Sequence, residues 1–428
     1  MKFSMRTIRI ILFLAFAIFL AGCRLSTPTR ANPTASKVVA TKVVPTSIKP
    51  VDTATPKPTE IPPTSTPFVM GPDMERIPPG YNPLTGLFVT DASLLDLPAV
   101  LISITNFPPS ARPQAGLSFA PWVFELYISE GMTRFLSVFY GDYPGDQISE
   151  TGTDASIPTA EAGTPSGNSG EPKKNKLTFG PIRSGRLPYA AIRDFFKGSC
   201  LVYAGATVEI RDRLRGCAMV YGSDEDDINS AMVETSKLKD LAKANFQQGD
   251  SFNYSGNQFS QVPPAGGQPA TQMDIFYSLL NQGQWVFSDD AEAYLKNEDL
   301  ADGTGIFRPM VDRINGKQLA FSNVVVLFAE HTVINPYIID VGIWSGQRGK
   351  AVIFRDGQRY DAVWSTMNGD YEKTTGKRRP MRFEDAQGNP FPLKPGQTWI
   401  HIFTPYSYIE DKGDGLWLLR FMAPAGTK

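Results

Sequence analysis

The strongest chemistry in this sequence lies in an arginine-rich turn ahead of a helix. Gly180-Pro181-Ile182-Arg183-Ser184-Gly185-Arg186 leads into an apolar helical pattern near Leu187, with Ser184 positioned as N-cap and Pro188 in the first turn. Free N–H groups at a helix start, beside two guanidinium groups, would hold a carboxylate, a phosphate or an acidic sugar. With Arg134 and Glu125 these residues outline a cleft for an anionic ligand. The competing reading is internal pairing of Arg183 or Arg186 with Glu125 or Glu130, because a mid-strand glutamate among aromatics needs a partner. Asn106 and Arg112 follow a strand in a Pro-rich loop, where they either line the same cleft or shape the turn.

Other constellations are weaker. Glu125 and Glu130 have the residue types of a glycosidase acid and base, but Glu130 sits at a turn, where acidic side chains are ordinarily just solvated. His331 and His401, the two histidines, are set in or beside apolar strands, which predicts structural roles rather than catalysis or metal binding. Trp344, Trp364 and Trp399 could form a sugar-stacking platform, although aromatics in strands are more often core. The chain contains no His-Glu-x-x-His helix, Gly-x-Ser-x-Gly elbow or Walker phosphate loop, so no metal and no cofactor are expected.

These residues need elements to position them. Val100 to Thr105 has the length of a strand. Residues 122–129 alternate with one apolar face, and Glu130-Gly131 turns them into a returning strand from Thr133 to Tyr140, a hairpin. Helical spacing marks Leu187 to Phe196, Val208 to Leu214, Ile228 to Phe246 and Met273 to Leu280. Further on, Phe321 to Phe328 reads as a buried strand, and Asp356-Gly357 is a hairpin turn between Ala351–Phe354 and Tyr360–Trp364. Trp399 to Phe403 and Leu416 to Phe421 look like further strands. The expected class is α+β, a mixed α/β sandwich, with an N-terminal α/β domain over residues 80–283 and a β-rich domain over 284–428.

Lys2, Arg6 and Arg9 precede an apolar run from Ile10 to Leu20, too short for a permanent span, which ends at Leu20-Ala21-Gly22-Cys23. This is the pattern of a signal peptide, residues 1–22. Residues 23–79, rich in Thr, Pro and Ser, cannot form a core and read as an extended, disordered stalk. A second low-complexity stretch, about 145–175, reads as a disordered insertion, and Gln261 to Gln268 as a short loop. With 42 basic and 43 acidic residues there is no electrostatic footprint for nucleic acid. Cys200 and Cys217 either bridge in an oxidising exterior or lie separately buried.

Two resemblances follow from these residues. The tetrapeptide ending at Cys23 resembles the bacterial lipobox, which implies a lipid on Cys23 as mature N-terminus and anchorage to the extracytoplasmic face of the cell membrane, about 0.8 kcal/mol being gained per buried CH₂. From Asn82 onward the chain resembles the YerB-like bacterial lipoproteins, a two-part family of unknown function. The residues that carry this are Asn82-Pro83-Leu84-Thr85-Gly86-Leu87, Asn106, Arg112-Pro113-Gln114-Ala115-Gly116-Leu117, Glu125 with Glu130-Gly131-Met132-Thr133-Arg134-Phe135, and the Gly180–Arg186 turn. Ser322-Asn323-Val324-Val325-Val326, the Asp356-Gly357 hairpin and Pro395-Gly396-Gln397-Thr398-Trp399-Ile400 are similar to the family's second domain. The resemblance implies an α/β sandwich and brings no activity. The chain departs from it in the 145–175 insertion and at Asp227-Ile228-Asn229, where relatives often carry Pro-His-Asn.

The function expected is a noncatalytic envelope module, lipid-anchored, binding an anionic ligand or an envelope partner. The alternatives are a carboxylate-dependent hydrolase of cell-wall or glycan material, and a structural spacer.

Overall fold

The computed structural model describes residues 77–143, 177–214, 218–219, 229–244, 246 and 251–428. The signal peptide, Cys23, almost all of the stalk, the 145–175 insertion and Cys217 lie outside the described residues. Strands dominate, and helices are few and short.

An eleven-stranded mixed sheet forms the centre. The hairpin of Trp122–Ser129 and Met132–Phe139 stands in its middle, closed by Glu130 (φ 52°) and Gly131 (φ 73°), two left-handed residues that match the twist of the strands. Val100–Thr105 continues the sheet beside the second of these strands, antiparallel to it, and Cys200–Tyr203 pairs in parallel beyond. On the other side, Trp122–Ser129 pairs in parallel with Thr398–Phe403, which pairs in parallel with Asn323–Phe328. The hairpin Arg348–Arg355 and Gln358–Ser365, turned by Asp356 and Gly357 as expected, extends this half.

A seven-stranded sheet contains Gln272–Ser278, Asn281–Ser288, Ala293–Asp299 and Leu416–Arg420. Its inward residues Met273, Ile275, Tyr277, Trp285, Tyr294, Trp417 and Leu419 join one core with Val123, Phe135, Val324 and Trp399 of the central sheet. The opposite face of the central sheet, with Phe124, Leu126, Leu136 and Ile400, packs against the helices Pro188–Phe195 and Val208–Leu214 through Tyr189, Ile192, Phe195 and Ile210.

Three expectations need correction. Met273–Leu280 is not a helix. Met273, Ile275 and Tyr277 alternate inward along a strand, while Phe276 on the outer side is capped by the Arg420 guanidinium 3.7 Å from its ring. The long helix expected from 228 to 246 reduces to Leu238–Lys243, preceded by a short strand, Val233–Glu234, and one 3₁₀ turn. Gly283, expected at a domain boundary, lies inside the strand Asn281–Ser288. Parallel pairing of Trp122–Ser129 with Thr398–Phe403 joins early and late sequence in one sheet.

Candidate functional site

Residues paired across a ladder share a face, and each one-residue step along a strand changes face. Glu125 pairs with Phe135, whereas Arg134 pairs with Leu126 and Thr105. Glu125 therefore points toward the seven-stranded sheet and Arg134 toward the helices. The single cleft expected around Arg134, Arg183, Arg186 and Glu125 is two clusters on opposite faces, and no arginine of the turn pairs with Glu125.

On the first face the Glu125 carboxylate is fully partnered. Thr133 Oγ1 donates to Oε1 at 2.9 Å, Trp399 Nε1 donates to Oε2 at 3.0 Å, and Lys296 Nζ lies 3.8 Å from Oε2. His401 Nδ1 is 3.3 Å from Oε2 and 3.1 Å from the Tyr277 hydroxyl, while Trp285 Nε1 donates to His401 Nε2 at 3.1 Å. An indole N–H only donates, so Nε2 carries the lone pair and the neutral ring holds its proton on Nδ1. Burial, reinforced by the Lys296 charge, drives His401 well below its ordinary pKa and keeps it neutral. Lys296 is itself lowered by burial, opposed chiefly by Glu125 and Glu298, and its ammonium lies 4.5 Å and 4.6 Å from the ring centroids of Trp285 and Trp399.

Asn106 and Arg112 belong to this cluster. Arg112 Nη2 donates to Asn106 Oδ1 at 3.4 Å, Asn106 Nδ2 donates to Thr133 Oγ1 at 2.8 Å, and Thr133 donates to Glu125, a relay that ends on the carboxylate. Arg112 also meets Glu298 at 3.2 Å and Asp299 at 3.4 Å. Burial raises both these carboxyl groups, with Arg112 the main opposing charge. The space among Asn106, Arg112, Glu125, Lys296, Glu298 and His401 is about 10 Å³, room for one water. With its oxygens and imidazole nitrogens engaged, the cluster ties the two sheets together. Glu130 is exposed on its turn and does not line this space, so the expected carboxylate pair does not share a pocket.

The second face carries the arginines. Backbone bonds fix their turn on both sides: Thr105 N to Pro181 O, Arg183 N to Ser103 O, Ala204 N to Arg183 O and Gly185 N to Gly205 O. It thus fills the edge of Val100–Thr105 just beyond the end of Cys200–Tyr203. Arg134 is 5% exposed, yet its Nε and Nη1 have no acceptor, and Arg186 Nε is likewise buried without one. No side-chain hydrogen bond or ion pair of Arg134 or Arg186 occurs among the described residues. Burial, opposed by Tyr189 and aided by the Arg186 and Arg183 charges, brings Arg134 down to about 9. Arg183 Nη2 reaches Asn229 Oδ1 at 3.5 Å. The Tyr189 hydroxyl lies 3.1 Å from Ser103 Oγ, which also contacts the Ser184 carbonyl at 3.4 Å.

Two details of the expected anion site are overturned. The N-cap is Leu187, without a side-chain cap, and Ser184 lies outside the helix, while Pro188 does take the first turn. The N–H groups of Tyr189 and Ala190 are already bonded to the carbonyls of Arg186 and Leu187. Any anion here would be held by side chains. Trp364 and Trp399 belong to cores on opposite faces, so the three tryptophans make no platform. His331 has Nδ1 2.9 Å from the Ala329 carbonyl, and burial lowers it to about 4. Cys200 is disulfide-bonded.

Comparison with known proteins matches both halves. The N-terminal domain of a family described as "Protein of unknown function (DUF3048)" covers residues 84–156, and its C-terminal domain covers residues 273–400. The chain is similar to the YerB-like proteins and matches the models of both domains of that family. It is 26% identical over 351 residues to "Putative lipoprotein YerB" of Bacillus subtilis (strain 168), across 78% of this chain and 89% of that protein. The crystal structure of YerB from Bacillus subtilis superimposes with a TM-score of 0.52 at 22% identity, covering 75% of this chain and 95% of the other, and shows a shared fold.

Within this YerB-like chain the segment Arg112–Leu117 has a visible task. Asp312, fully buried, accepts from Gly116 N, Ser118 N, Ser118 Oγ and Ile314 N at 2.9–3.0 Å, so the motif is clamped to the second domain by Asp312 as well as by Glu298 and Asp299. Sequence reasoning missed Glu298, Asp299 and Asp312 in this clamp, Lys296 beside Glu125, and Tyr189 and Ser103 beside the arginines. The strand Ala293–Asp299 gave no signal for this, since Lys296-Asn297-Glu298-Asp299 has the composition of a solvated segment although Lys296, Glu298 and Asp299 are buried.

Proposed function

We propose that this YerB-like protein is a lipid-anchored, extracytoplasmic binding module without catalytic activity, holding an anionic ligand at Arg134, Arg183 and Arg186. One observation carries the reading: the Arg134 guanidinium is buried with Nε and Nη1 lacking an acceptor, beside two further guanidinium groups. A buried charge without a partner is strongly unfavourable, and an anion from outside would supply the missing acceptors. The location supports it too, because the turn lies beside the carboxyl half of Val100–Thr105 and just beyond the carboxyl end of its parallel neighbour Cys200–Tyr203, and open α/β sheets commonly bind ligands near such strand ends. The Glu125 cluster, with every group engaged and space for one water, does not favour hydrolysis.

Thermal denaturation of the full chain in detergent tests the binding. Sulfate, phosphate or acetate raises Tm in wild type and has a much weaker effect in Arg186→Gln. An unchanged Tm with all three anions refutes the reading. For the anchor, Cys23→Ala abolishes incorporation of labelled palmitate, and continued labelling would place the lipid elsewhere.

A further inference from the structure

Building on that anion-binding reading, we infer that the arginine cluster is specific for a terminal phosphomonoester, with Arg134 at the bottom of the site and Arg183 and Arg186 at its mouth. Charge comes first. Arg134 and Arg186 both lack an ion-pair partner among the described residues, so two positive charges are uncompensated before Arg183, which has partners of its own, is considered. Tyr189 does not provide the missing negative charge, because burial raises its phenol above the ordinary value and keeps it neutral, against the opposing pull of Arg134. A carboxylate neutralises one such charge. A phosphomonoester carries about 1.5 to 2 negative charges at neutral pH and matches the pair.

Acceptor number points the same way. Arg134 offers Nε and Nη1, and Arg186 offers Nε, all buried and unbonded. A carboxylate has two coplanar oxygens, whereas a terminal phosphoryl group presents three oxygens in a tetrahedron and can meet guanidinium forks from different directions.

Depth distinguishes ester types. Arg134 is buried, while Arg183 and Arg186 are half-buried. A ligand reaching Arg134 must enter with a free end. An internal phosphodiester has a substituent on each side and one negative charge, and it would stop at the mouth. The turn needs little reorganisation to receive the group, since its backbone is bonded to Ser103, Thr105, Ala204 and Gly205.

The test is calorimetric titration of the full chain in detergent with glycerol 3-phosphate, dimethyl phosphate and acetate. The expected result is binding of the monoester at least roughly tenfold tighter than of the other two, the difference of one or more charge-assisted hydrogen bonds. Equal or tighter binding of acetate or dimethyl phosphate overturns the phosphomonoester inference and leaves the anion reading intact, whereas no binding of any anion removes both. Dihexanoyl phosphatidic acid, a soluble lipid bearing the same end group, separates the sources: about tenfold tighter binding than glycerol 3-phosphate assigns the ester to a lipid, and equal or weaker binding to a water-soluble molecule. Arg134→Met is expected to fold with an unchanged or higher Tm when ligand-free and to lose the monoester response. Retention of that response would show that Arg134 only packs. Should Arg134→Met not fold, Arg186→Gln at the mouth decides the same question, with loss of affinity expected and full affinity overturning the inference.

Discussion

Lys296 lies 3.8 Å from the Glu125 carboxylate across the gap between the two sheets, its ammonium close to the faces of Trp285 and Trp399. Removing one member of a buried ion pair typically costs about 3–5 kcal/mol, because the other is left charged in a poor solvent. Glu125 would keep Thr133, Trp399 and His401 as donors, so Lys296→Met is expected to lose about 3 kcal/mol in urea denaturation. Adding Glu125→Gln should recover part of that loss. Strict additivity of the two changes in a double-mutant cycle would mean that the pair is not coupled.

The two histidines make stability depend on pH. His331 is lowered to about 4 and His401 well below its ordinary value, so both stay neutral in the folded chain while they protonate near 6.5 when unfolded. The unfolded state therefore binds more protons below that pH, and stability present above about 6.5 falls as pH is lowered, by up to about 1.4 kcal/mol per unit for each group. In urea melts between pH 7 and 5, His331→Gln should flatten the slope. A slope identical to wild type would show that His331 does not contribute.

Gly131 closes the central hairpin in a left-handed conformation, and a Cβ there would meet Ser278 Cβ at 2.3 Å. Its carbonyl also accepts from Asn281 Nδ2 at 3.0 Å. Gly131→Ala thus combines strain with a clash against the second sheet, and should cost at least about 2 kcal/mol, the sum of two ordinary strain terms. A calorimetric Tm within one degree or so of wild type would be inconsistent with this close approach.

Asp312→Ala removes the acceptor for two backbone N–H groups of the Gly116–Ser118 turn. Leaving buried donors unsatisfied costs about 1–3 kcal/mol each. Hydrogen exchange is the direct readout: the Gly116 and Ser118 amides should lose protection well before the central strands do. Unchanged protection at both would show that the clamp is dispensable.

The hairpins were legible because Glu130-Gly131 and Asp356-Gly357 combine turn residues with alternating flanks, and the helices around Tyr189 and Ile210 because their apolar spacing is undisturbed. Met273–Leu280 misled because Met273, Phe276 and Leu280 also fit helical spacing. What decides the strand is the ladders on either side, to Asn281–Ser288 and Leu416–Arg420. For the site, the arginine turn was legible, but the partners of Glu125 were not. Trp399 donates to Glu125 across 274 residues of sequence, through a parallel pairing that leaves no local pattern. The faces of Glu125 and Arg134 were implicit in strand alternation. Their destinations depended on which layer covered each face.

The parallel pairing of Trp122–Ser129 with Thr398–Phe403 also governs how the protein can be made. During synthesis the early hairpin must wait, one edge unpaired, until nearly the last strand has been delivered, and such non-local pairing folds slowly. A product cut short before residue 398 would keep that apolar edge open to neighbouring chains. Truncation would thus create an aggregation hazard, and the protein should depend on delivery as one piece, with its unfinished sheet shielded on the way.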